Sequence, residues 1–188
     1  MKKFVDNNFV SIYENALSEE ECKIIIDEFE NNPNKLPGRC DYKVKLHIKK
    51  STDITYNMNN DCITSVIVGT RLEEHVDKYV EEHPDITNHI QPWSCVPEYN
   101  VQKYEPNEGF YKSHCENLDK ESSYRVLVWM FYLNTLHDGG TIFPTLEMKI
   151  EAIRGRLVVW PAYWTHIHRG QISESQTKYI ATGWHGFV

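Results

Sequence analysis

Hydrophobic and polar positions divide the chain into two textures. A short apolar and aromatic run, Phe9-Val10-Ser11-Ile12-Tyr13-Glu14, predicts a strand. Ser18-Glu19-Glu20-Glu21 then forms a capping box, with serine at the N-cap and Glu21 three positions on. Cys22, Ile25, Ile26 and Phe29 follow at helical spacing, which predicts a helix running to about Asn31. Asn32-Pro33-Asn34 ends it. Apolar and polar residues alternate over Lys43-Val44-Lys45-Leu46-His47-Ile48-Lys49, the pattern of a strand with a solvated basic face. Over 63–82, Val66, Ile67, Leu72, Val76, Tyr79 and Val80 fall on roughly one side of a helix, with Glu73, Glu74, Asp77 and Lys78 toward water. His83-Pro84 stops this second helix.

From Trp93 the runs become short, aromatic and β-branched. Turn residues separate them at Asn107-Glu108-Gly109, Asp138-Gly139-Gly140 and Arg154-Gly155. Many short strands at close spacing predict a sandwich or barrel. The expected architecture is mainly β (α+β) in a single domain over 1–188. Residues 1–92 form a helical and mixed support, and residues 93–188 form the β core. A chain of 188 residues is long enough to bury a core without disulfide or metal staples.

Composition narrows the partners. The formal net charge is −7, and there is no basic block, which argues against nucleic acid. No apolar run approaches the roughly 20 residues that span a bilayer, so no membrane partner is expected. The first residues carry two lysines but no apolar stretch after them, unlike a secretory signal. The five cysteines are odd in number, widely spaced and form no CxxC, as free thiols in a reducing compartment would be. A cytoplasmic location is therefore expected. Nine histidines remain, five of them from position 114 onward.

Some of these carry candidate chemistry. In a strand, residues i and i+2 share a face, so His114-Cys115-Glu116 would project an imidazole and a carboxylate together. Taken alone, the motif is weak and reads as an ordinary surface pair. Some fifty residues on, His166-Ile167-His168 offers two more same-face imidazoles. Two histidines and one carboxylate make a facial triad that leaves positions open on non-haem Fe(II). Zinc with the same donors is the chemical alternative, although no HExxH helix supports a protease. Lys178 lies among Tyr179, Ile180 and Ala181. It either points to water or is buried, and burial is costly unless it meets an anion.

These pieces join in a resemblance to the prolyl 4-hydroxylase-like branch of the Fe(II)/2-oxoglutarate dioxygenases, from about Tyr104 to Trp184. It begins at Tyr104-Glu105-Pro106-Asn107-Glu108-Gly109-Phe110-Tyr111-Lys112-Ser113-His114-Cys115-Glu116. It continues through the Arg125 to Tyr132-Leu133-Asn134 segment, Gly139-Gly140-Thr141-Ile142-Phe143-Pro144 and Gly155-Arg156-Leu157-Val158-Val159-Trp160-Pro161. His168-Arg169-Gly170, Lys178 and Trp184 complete the order. The resemblance implies a double-stranded β-helix, or jelly roll, with a metal at its mouth. It implies that His114, Glu116 and His168 ligate Fe(II). The family's ten-residue interval to the basic residue favours His168, with His166 as the rival for that place. Lys178 would hold the distal carboxylate of 2-oxoglutarate. Tyr104 and Tyr132 would face the cosubstrate or the substrate, and Thr182 would line the pocket near Lys178. O2 is the other cosubstrate, and ascorbate a further cofactor. Glu116 departs from the branch, which usually has aspartate there, but it remains a hard anionic oxygen donor.

The activity implied is hydroxylation of an unactivated C–H bond, with a peptidyl proline as the family-level substrate and small molecules as the alternative. Two other readings compete. A metal-dependent hydrolase or isomerase on a cupin-like barrel would keep the triad but give Lys178 no partner. A non-catalytic binding module would keep only the barrel. The sequence assigns no oligomeric state.

Overall fold

The computed structural model describes residues 8–40 and 43–188. Its elements in chain order are β1 (Ser11–Tyr13), α1 (Glu19–Asn31), β2 (Leu36–Pro37), β3 (Lys49–Lys50), β4 (Thr52–Asn57), α2 (Ile63–Glu82), α3 (Asp85–Asn88), β5 (Trp93–Cys95), β6 (Glu98–Tyr104), β7 (Gly109–Phe110), β8 (Arg125–Tyr132), β9 (Thr141–Phe143), β10 (Met148–Ile150), β11 (Leu157–Pro161), β12 (Arg169–Gly170) and β13 (Lys178–Phe187). All pairings are antiparallel. The large sheet has the order β1-β11-β8-β13-β6-β4-β2, with β5 added on β13. A smaller layer consists of β10-β9-β12 and the β3-β7 pair, and a single bridge between His114 and His168 lies between them. This is the jelly-roll arrangement expected, with α1 and α2 as its supports.

The large sheet is apolar on both faces, and period-two alternation sorts its side chains. On β8, Leu127, Trp129 and Phe131 join the core that holds Ile25 and Phe29 of α1 and Val68, Leu72 and Tyr79 of α2. Val128, Met130 and Tyr132 turn the other way, to Phe143 and Ile150 of the small layer. On β11, Leu157 and Val159 face the helices while Val158 and Trp160 face inward. The helices thus cover one face, and the inner face is left for the site.

The capping box is formed in full: Glu21 N–H donates to Ser18 Oγ, and Ser18 N–H donates to the Glu21 carboxylate. α2 has the bounds its periodicity predicts, but Val66 points to water and Thr64, Ser65, Val68 and His75 are buried along it. The strand expected over 43–49 does not form. Val44 and Leu46 are both exposed, and turn bonds from Ile48 and Lys49 to the Lys45 carbonyl curl the segment instead. An alternating run makes a strand only where a neighbour covers its apolar face. The neighbour lies slightly later, where β4 pairs with β6 and buries Ile54 and Tyr56. The N-terminal part therefore adds strands to the large sheet as well as helices.

Candidate metal centre

His114, Glu116 and His168 converge on the inner face, with one ligating atom of each within 4.8 Å of the others. The backbone places them more by bridges than by extended strand. His114 and His168 exchange both amide bonds, at 2.9 and 2.8 Å. The amides of Glu116 and Asn117 both donate to the Ala162 carbonyl. The Nε2 atoms of His114 and His168 lie 3.1 and 3.5 Å from Glu116 Oε1.

The surroundings settle which atoms are free to ligate. Nδ1 of His114 lies 3.0 Å from the Lys112 carbonyl, and Nδ1 of His168 lies 3.0 Å from the His166 carbonyl. A carbonyl only accepts, so each Nδ1 carries a proton, and Nε2 is the atom that each ring turns to the centre. Glu116 Oε2 accepts from Trp184 Nε1 at 3.1 Å and from Arg125 Nη1 at 3.4 Å. The Arg125 guanidinium also stacks on the Trp184 ring at 3.7 Å. Burial works against the charge on Glu116. The hydrogen bonds from His114 and His168 together outweigh it and hold the carboxyl well below the usual range. Burial holds His168 below the ordinary histidine range, with the Glu116 carboxylate opposing.

His166 does not share a face with His168. It ends a 3-10 turn over Trp164–His166, and its Nε2 lies 2.7 Å from the Asn8 carbonyl, away from the centre. The strand geometry expected for the pair fails because the turn rotates one imidazole out.

A cavity of about 590 Å³ opens from the three residues, and Lys178, Tyr104 and Thr182 line it. Lys178 is 6% exposed, and its Nζ reaches only the Gln171 carbonyl, at 3.4 Å. Burial pushes its ammonium down to about 8, partly offset by the charge of Asp138. The lysine is thus buried and weakly partnered, as a receptor for an anion would be. Gly170 makes room for it, since a Cβ there would sit 3.3 Å from Nζ. Tyr104 lies beside it, with Nζ 5.0 Å from the ring centroid. Thr182 gives its hydroxyl proton to the Trp129 carbonyl. Tyr132 is fully buried behind the wall, and its hydroxyl bonds to Thr141 Oγ1 at 2.6 Å. Thr141, not Tyr132, lines the cavity.

Residues 99–186 match the sequence model of the 2OG-Fe(II) oxygenase superfamily. A probable prolyl 4-hydroxylase 10 of Arabidopsis thaliana is 26% identical over 157 residues, which is 76% of this chain and 47% of that protein. The chain therefore spans about half the length of the curated relative it matches. Among solved structures, the viral collagen prolyl hydroxylase of Paramecium Bursaria Chlorella virus-1, in its 2OG complex, superposes with TM-score 0.73 at 19% identity, covering 97% of this chain and 98% of that one. A Trichoplax adhaerens prolyl hydroxylase in complex with a peptide fragment of the hypoxia inducible factor oxygen degradation domain gives TM-score 0.75 at 17% identity, covering 96% and 84%. At these identities the superpositions establish the jelly-roll fold alone.

Several cavity residues escape a sequence reading. Arg125 and Trp184 mark motif ends in the sequence, but nothing there shows that they grip the same carboxylate oxygen. Lys49, Asp53 and Gln102 also line the cavity. The available signal for Asp53 is its place in Thr52-Asp53-Ile54-Thr55-Tyr56, where an acid alternates with buried apolar residues.

Proposed function

We propose that this chain is an Fe(II)- and 2-oxoglutarate-dependent dioxygenase that hydroxylates an unactivated C–H bond, with a prolyl residue of a peptide as the substrate class. The observation that carries the reading is an oriented His₂Glu set opening on the same cavity as a buried lysine that has no close anion among the described residues. The donors suit Fe(II). Two imidazole nitrogens and one hard oxygen occupy one side of an ion and leave the other side open. The cupin-like hydrolase alternative would leave Lys178 buried for no purpose.

Iron with 2-oxoglutarate and O2 supplies the oxidising power, 2-oxoglutarate leaving as succinate and CO2. The protein's own part is placement. Nε2 of His114, Nε2 of His168 and Oε1 of Glu116 would hold the metal. Trp184 and Arg125 engage Oε2, so Oε1 is the oxygen that Glu116 would offer. Lys178 would receive the distal carboxylate of 2-oxoglutarate by a charge-assisted bond in a site sheltered from water. Trp160 and Phe143 pack their rings on His168 and fix its plane.

The relatives' names support the peptide class: one acts on collagen proline and another binds a peptide. The thiols of Cys22, Cys62, Cys95 and Cys115 are free, which supports a cytoplasmic setting. The deciding experiment is anaerobic titration with Fe(II) and 2-oxoglutarate, followed by the metal-to-ligand charge-transfer band. The expected result is a band in the wild type and none in His114→Ala. A band of equal strength in both would sink the ligand assignment.

A further inference from the structure

The cavity wall carries a charge pair that the proposed reaction does not use. Lys49 and Asp53 are 4% and 8% exposed, and Lys49 Nζ donates to Asp53 Oδ2 at 2.6 Å. β3 and β4 belong to different layers, so the pair closes the corner at Ser51 where the chain passes between them. From Asp53 a hydrogen-bonded chain runs inward. Gln102, the direct cross-strand partner of Asp53, gives Nε2 to the same Oδ2 at 3.1 Å. Tyr104 Oη lies 2.7 Å from Gln102 Oε1. A buried ion pair is a weak source of stability, because desolvation offsets its attraction. It is, however, a strong source of direction.

An ammonium has only donors, and the carboxylate it pairs with has only lone pairs. Gln102 must therefore turn its NH2 toward Asp53, since its carbonyl there would set lone pairs against lone pairs. The carbonyl then faces Tyr104, and the phenol must donate. The direction follows from charge and does not depend on telling apart two similar amide atoms.

We propose that Asp53, held by Lys49, is a positioning residue that commits the Tyr104 proton to Gln102 and leaves only the phenol's lone pairs to the cavity. Tyr104 then accepts an N–H from the substrate, such as a backbone amide of a peptide. It does not ligate a carboxylate of 2-oxoglutarate, which also offers only lone pairs. Burial and the negative charges of Asp53 and Glu116 push the phenol well above its usual range, so it keeps the proton that it gives away. What fills the cavity rests on the oxygenase reading. The hydrogen-bond direction does not.

Two measurements separate these parts. Infrared difference spectra of wild type against Tyr104→Phe, on isotope-labelled tyrosine and without ligand, read the Tyr104 C–O stretch, which distinguishes a donating phenol from an accepting one. A donor band is expected, and Asp53→Ala, which removes the shared acceptor and leaves the Lys49 ammonium to draw the Gln102 carbonyl, should move it toward the acceptor form. An acceptor band in the wild type overturns the proposal, as does an unmoved band in an Asp53→Ala protein that is folded but less stable. Calorimetric titration of the Mn(II)-loaded protein with 2-oxoglutarate then reads the consequence. Tyr104→Phe should change Kd by less than about twofold, and a weakening of about tenfold or more would show Tyr104 donating to the cosubstrate. If the wild type binds no 2-oxoglutarate, the oxygenase reading fails while the infrared result still decides the direction.

Discussion

Lys178 combines several pressures on one side chain. Its place ten residues after His168 could be read from the chain, but its burial could not, since a strand lysine points to water as easily as inward. The register settles it: Lys178 pairs with Tyr104 across β13 and β6, on the same inner face as Ile180 and Trp184. An isolated buried ammonium is costly, and here it sits ready for a carboxylate. Removing it should weaken 2-oxoglutarate by roughly 10- to 100-fold, the worth of about 1.5–3 kcal/mol for a hydrogen bond to a charged group. Titration of Lys178→Ala should show Mn(II) affinity almost unchanged, and equal losses for both ligands would point to a folding defect. The sign of the pH effect follows. Burial holds the ammonium down at about 8, with Asp138 opposing and Tyr104 the other titratable neighbour. Only the charged form attracts the carboxylate, so binding is full below pH 8 and is lost above it. Affinity for 2-oxoglutarate should fall about tenfold per unit at higher pH in the wild type, and the slope should vanish in Lys178→Ala.

At the scale of elements, legibility followed local chemistry. The capping box and the apolar spacing of α1 could be read because both are local, and the structure reproduces them. The 43–49 run misled because strand pairing is not local: its alternation was real, but no neighbour covered Val44 and Leu46. The His114 and Glu116 pair was found for a partly wrong reason. The two side chains do converge, through the bridge to His168 and the Ala162 carbonyl, without an extended strand. The alternative ligand His166 could not be dismissed from spacing, because the turn that rotates it away has no strong signal of its own. β13 shows how tightly one element can be specified. It runs between β8 and β6, and a Cβ on Gly183 would lie 2.5 Å from Trp129 Cζ2 and 2.9 Å from Tyr99 Cβ. Both neighbours are fully buried core residues with no room to move. Gly183→Ala should therefore cost about 1–3 kcal/mol by overpacking, seen as a lower denaturation midpoint with unchanged slope. A neutral result would mean that Trp129 can rotate aside.

The whole molecule depends on how the two textures interlock. A division into a support and a β core suggests that the core could stand alone, but the sheet order argues otherwise. β4 and β2 extend the sheet beyond β6, and β1 extends it beyond β11, so both edges come from the N-terminal part. The same part supplies α1 and α2, which bury Tyr99, Val101, Trp129, Phe131 and Ala181. Phe29 of α1 meets the Tyr179 ring edge-on at 6.1 Å, and Lys103 pairs with Glu30 at 2.9 Å. Tyr179 immediately follows Lys178, so the helix braces the outer face of the strand whose inner face holds the cavity lysine. A fragment of residues 93–188 would contain the whole candidate metal set. It would also have two bare strand edges and an uncovered apolar face, a combination that leads to association instead of folding. Expressed alone, it should show no cooperative thermal transition and no dispersed amide spectrum, and Mn(II) should bind it far more weakly than it binds the full chain. A fragment that melts cooperatively and binds Mn(II) as tightly as the full chain would show that the β core is an independent unit and that the helices only decorate it. The milder variant Phe29→Ala makes the same point without removing a strand. It should cost about 3–5 kcal/mol of stability and still leave the metal affinity of the folded fraction close to that of the wild type, because α1 supports the sheet and contributes nothing to the metal centre itself.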